Sequence, residues 1–67
     1  MTKFYEIWTC KDREIGIVPR MTPNPFNAGR AIEQLHQNHP EYEIWLRTWV
    51  YDQPNDEFVI ETNEQIY

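Results

Sequence analysis

Glycine, cysteine and basic residues are all scarce in this chain, and each shortage argues against a class of function. Only Gly16 and Gly29 occur in 67 residues, so there is no glycine-rich loop of the kind that cradles a phosphate. A single cysteine, Cys10, rules out an internal disulfide. A lone thiol fits a reducing compartment, and the opening Met-Thr-Lys-Phe-Tyr-Glu lacks the basic-then-apolar order of a secretion signal. The expected location is therefore the cytoplasm. No apolar run approaches the roughly 20 residues that span a bilayer, so no membrane partner is expected. Lys and Arg number only 6 against 11 Asp and Glu. No basic run is present, which argues against direct nucleic-acid binding.

The net charge of −5 is unevenly placed. Residues 1–40 balance Lys3, Lys11, Arg13, Arg20 and Arg30 against Glu6, Asp12, Glu14 and Glu33, a net of +1. Residues 41–67 set Arg47 alone against Glu41, Glu43, Asp52, Asp56, Glu57, Glu61 and Glu64, a net of −6. Such a half repels phosphate and steers towards a basic protein surface. The same carboxylates also serve simple solubility.

Strand and helix periodicities divide the chain clearly. Lys3 to Cys10 reads as a strand with Tyr5, Ile7 and Thr9 on one face and Phe4, Glu6 and Trp8 on the other. Lys11-Asp12-Arg13 is a turn, and Glu14 to Val18 a second strand with Ile15 and Ile17 on one side. Pro19, Pro23 and Pro25 make residues 19–27 a stiff connector that cannot be a central strand. Asn24 or Asn27 is placed to cap a following helix, with Pro25 suited to its first turn. From Ala28 to Asn38, Ala28, Ala31, Ile32 and Leu35 form one apolar stripe. Gly29 weakens this helix, and either permits close approach to the sheet or is merely tolerated. Pro40 ends it. Glu41 to Asp52 is a long strand, Gln53-Pro54-Asn55-Asp56 a turn, Glu57 to Thr62 a closing strand, and residues 63–67 a tail. Residues 1–67 thus read as one small α+β domain of order β-β-α-β-β. Its expected form is a four-stranded antiparallel sheet with one helix on one face.

The long strand carries the functional clue. Alternation puts Trp45, Arg47, Trp49 and Tyr51 on one face and Ile44, Leu46 and Val50 on the other. The aliphatic side suits the helix stripe, joined by Ile7, Ile15 and Ile17. Phe58 and Ile60 are expected to complete that side, or Val59 if the register slips by one. A helix of this length covers one face of four strands and cannot reach the other. Trp45, Trp49, Tyr51, Trp8 and Phe4 then need cover from elsewhere. Tryptophan, tyrosine and arginine are also the residue types enriched in interface hot spots. Three covers compete: a second copy, a different protein, or the proline-rich connector folding back with Met21 and Phe26. Arg47, between two tryptophans in sequence, is placed for cation–π stacking in each case.

Catalytic and metal motifs are weak. His36 and His39 near Cys10 or Glu41 do not have a recognised zinc spacing, and histidines at a helix end ordinarily meet its last carbonyls. Cys10 beside Lys11 has no evident orienting group. Asp56 and Glu57 fall in a turn, where solvation explains them. The expectation is no enzymatic activity, no cofactor and no metal.

In size, acidity and β-β-α-β-β plan the chain resembles small phage- and plasmid-encoded inhibitors, including anti-CRISPR proteins. The likeness lies in architecture and composition, and no residue carries it, so no functional residue transfers. It implies an inhibitor that docks on a host nucleic-acid-handling protein complex. Trp8, Trp45, Arg47, Trp49 and Tyr51 are the expected partner-binding residues, with Glu43, Asp52, Asp56, Glu57 and Glu61 as an acidic flank steering a basic partner. The alternative is an obligate homodimer through the tryptophan face that meets its target with the helix or acidic rim. A smaller alternative is an acidic mimic of nucleic acid.

Overall fold

The period-two segments pair into one antiparallel sheet in the computed structural model, which describes residues 2–16 and 19–67. Strand β1 (Lys3–Lys11) lies beside β4 (Glu43–Asp52), and β4 beside β5 (Glu57–Gln65). The other edge of β1 is lined by two short pieces, β2 (Glu14–Ile15) and β3 (Arg20–Thr22). These occupy one sheet position, so the four-position antiparallel sheet and the β-β-α-β-β order are as expected. Arg20–Thr22 belongs to the segment read as connector, yet it pairs with Tyr5–Ile7. The proline rule is respected, because this is an edge strand. Ile17 and Val18 of the expected second strand, and the side chain of Ile15, lie outside the described residues.

Helix α1 spans Pro25–Asn38. Asn24 is its cap: Oδ1 accepts from the backbone N–H of Phe26 at 2.8 Å and of Asn27 at 3.4 Å. These bonds satisfy donors that the first helical turn leaves without partners, and Pro25 adds a preset φ. At the other end the His39 N–H donates to the Leu35 carbonyl at 2.7 Å before Pro40 turns the chain away.

Ala28, Ile32 and Leu35 of α1 bury against Ile7 and Ile44, with Tyr5, Ala31 and Leu46 packed around them. Thr9 and Thr48 are also buried on this side. Among the described residues, Ile7, Ala28, Ile32, Leu35 and Ile44 are the only buried apolar side chains. That is a thin core, and the molecule is correspondingly flat, 40 × 25 × 17 Å. The accessible surface of 4887 Å² exceeds the roughly 4,500 Å² typical for this mass.

In β5 the second of the two expected registers, with Val59 on the helix side, is the one formed. Thr62 pairs with Thr48 but Ile60 with Trp49, so Glu61 is an extra residue, a β-bulge. A bulge reverses the alternation beyond it. Val59 therefore shares the helix side with Val50, and Phe58 and Ile60 join the tryptophan side. The closing strand also runs to Gln65 rather than Thr62. The tail beyond it bonds to Ile44 through the Ile66 N–H at 2.8 Å and the Tyr67 carbonyl at 3.1 Å. No helix of the described residues is long and apolar enough to cross a membrane.

Candidate functional site: the aromatic face of the sheet

β1 and β4 register residue against residue, and this register builds the second face of the sheet. Trp8 pairs with Trp45, Glu6 with Arg47 and Phe4 with Trp49. β5 extends these rows with Gln65, Asn63 and Ile60, and adds Phe58 beside Tyr51. Met21 of β3 sits next to Glu6. Aromatic rows thus flank a central charged row.

Contacts within the face are continuous. The Trp8 and Trp45 rings stack with centroids 5.2 Å apart and planes 16° from parallel. Phe4 stacks on Trp49 at 6.0 Å and meets Phe58 edge-on at 4.9 Å. Phe58 in turn touches Tyr51 at 5.4 Å. Between the two groups, Glu6 Oε1 accepts from Arg47 Nη1 and from Trp49 Nε1, both at 3.1 Å. The Arg47 guanidinium lies 5.2 Å from the Trp8 ring centroid. Arg47 therefore stacks on a cross-strand tryptophan rather than between its sequence neighbours. Each such contact is worth about 0.5–1 kcal/mol where exposed.

The face is organised, and among the described residues no helix packs on it. Helix α1 packs on the opposite side, and Arg20–Thr22 of the connector pairs along the edge of β1. Met21 is 57% exposed and Phe26 82%, so neither shields the tryptophans. Phe58 and Ile60 also remain open to solvent, while the indoles and Phe4 are half-buried by one another. The Nε1 atoms of Trp8 and Trp45 and the Nε of Arg47 are shielded from water without a hydrogen-bond partner among the described residues.

The five expected anchors, Trp8, Trp45, Arg47, Trp49 and Tyr51, are all brought together here. The acidic flank is not gathered in the same way. Glu43 stands at one end of the face opposite Cys10. Asp52 accepts from Asn55 Nδ2 at 2.7 Å, and Asp56 accepts the Tyr51 hydroxyl at the far end. That hydrogen bond, followed by desolvation, raises the Tyr51 pKa above its ordinary value. Glu57 is exposed and pairs with Asp52, while Glu61 is the bulge residue and bridges to Lys3 at 3.3 Å.

Glu6, the carboxylate that orders the centre, was not singled out from the sequence. Its face was legible from alternation with Trp8, but its partner Arg47 lies 41 residues away. The side taken by Phe58 and Ile60 stayed open in the sequence, because a bulge carries no periodic signal.

The histidines stand apart. His36 stacks on Tyr67 at 3.7 Å, and His39 Nδ1 lies 3.7 Å from Glu41 Oε1. Among the described residues no three His, Cys, Asp or Glu converge as a metal-holding group. Compared with protein-family models, curated proteins and solved structures, the chain matches none.

Proposed function

We propose that this chain is a non-enzymatic protein-binding module whose docking surface is the aromatic face of its sheet. The observation that carries this reading is the gathering of Trp8, Trp45, Trp49, Phe4, Tyr51 and Phe58 on the side of the sheet opposite α1. Contiguous apolar patches beyond a few hundred Å² are uncommon on soluble monomers and mark interaction sites. The Glu6–Arg47 pair at the centre supplies orientation, as polar groups at hot spots do. In cellular terms the module is a cytoplasmic inhibitor of the phage or mobile-element kind. Its target is a nucleic-acid-handling protein complex, towards whose basic surface the acidic second half steers it. Composition and plan support this last step, together with the spread of Glu43, Asp56 and Glu57 around the ends of the face.

Immobilised protein exposed to host lysate tests the reading. Trp49→Ala should reduce captured target at least about tenfold, the loss of a hot-spot residue. Arg30→Ala, on the exposed outer side of α1, should leave capture unchanged. Equal capture by the two variants would count against the aromatic face.

A further inference from the structure

We infer that a second copy of this chain covers the aromatic face in the free protein, about a two-fold axis that runs along the strands between β1 and β4. The inference rests on the docking reading above and names the occupant of the same surface. Capture of a target through this face then competes with self-pairing.

Charge selects both the occupant and the axis. The face holds one anion and one cation at its centre, Glu6 and Arg47, side by side on adjacent strands. A two-fold along the strands lays β1 of one copy over β4 of the other. Each Glu6 then opposes the second copy's Arg47, each Trp8 opposes a Trp45, and each Phe4 opposes a Trp49. A two-fold across the strands through this row would set Glu6 on Glu6 and Arg47 on Arg47, which like-charge repulsion disfavours. The net charge of −5 repels two copies in most other orientations, whereas the centre of this face is neutral.

Area agrees. β4 has ten residues, so the face measures roughly 30 Å by 19 Å, about 600 Å² in projection before side-chain relief is counted. A standard interface buries about 800 Å² per partner. Two sheets packed face to face in an aligned sandwich lie about 10 Å apart at about −30°. The result is a helix–sheet–sheet–helix stack that gives both faces of each sheet a cover.

Sedimentation equilibrium over a micromolar series tests the inference with the full chain. Wild type should have two chain masses. Arg47→Glu and Glu6→Arg alone should each weaken pairing by roughly 100-fold or more, and an equimolar mixture of the two should restore it. The double variant Glu6→Arg/Arg47→Glu keeps the internal pair and should dimerise as wild type does. Ile60→Lys, at a half-exposed position that does not threaten the fold, should also favour one chain mass. Wild type at one chain mass throughout overturns the inference, as does a dimer indifferent to every substitution. In the monomeric case, indoles open to a quencher leave the docking reading standing, and shielded indoles remove it as well.

Discussion

At the scale of single residues, the two glycines do opposite things. A Cβ on Gly16 would fall 2.1 Å from Tyr42 Cε1, so this glycine lets the Tyr42 ring lie against the chain. Gly29 has nothing within 4 Å of its Cβ position and no positive φ, so it is tolerated in the helix rather than required by the sheet. Gly29→Ala should raise stability by about 0.5–1 kcal/mol, a gain of about 3–8 °C in Tm. Gly16→Ala should lower it by about 1–3 kcal/mol through overpacking. Thermal unfolding of the two variants checks both signs.

Two tyrosines give the fold an alkaline limit. Hydrogen bonding to Glu33, then desolvation and the Glu33 charge, raise the Tyr67 pKa, and Asp56 does the same for Tyr51. Both hydroxyls hold their protons more tightly folded than unfolded. Their contribution is complete below the unfolded value of about 10 and is lost as pH rises through the higher folded values. Denaturant titrations between pH 8 and 11 should show falling stability, with a shallower fall in Tyr51→Phe/Tyr67→Phe. An unchanged slope would show that these bonds do not form in solution.

At the scale of elements, local signals were legible and long-range ones were not. The helix stripe of Ala28, Ala31, Ile32 and Leu35 and the alternation in β1 and β4 follow from periodicity alone, and the faces formed as read. The choice between Asn24 and Asn27 as cap needed the backbone, because both precede helix-compatible residues. The Glu61 bulge and the Glu6–Arg47 pair depend on register between distant strands, which no window of sequence contains. The β1–β2 turn also shows a local conflict. Asp12 and Arg13 both have positive φ, 53° and 70°, the pattern of a two-residue turn that prefers Asn-Gly. Arg13→Gly should therefore stabilise the hairpin by about 1 kcal/mol, read as a higher denaturant midpoint with unchanged slope.

At the scale of the whole molecule, one sheet has two apolar sides and the described residues supply one α-helix. The helix side holds a thin core around Ile7 and Ile44. The other side holds all three tryptophans of the chain, at positions 8, 45 and 49. Indole fluorescence therefore reports on that face alone. Acrylamide quenching measured across a protein dilution series addresses it most directly. Quenching that is weak in concentrated solution and strengthens on dilution is the expected result, because the rings open to solvent when the face loses its cover. Weak quenching that stays constant at every concentration in a protein that sediments at one chain mass would mean that the chain shelters its own indoles, and the aromatic face would not be a docking surface.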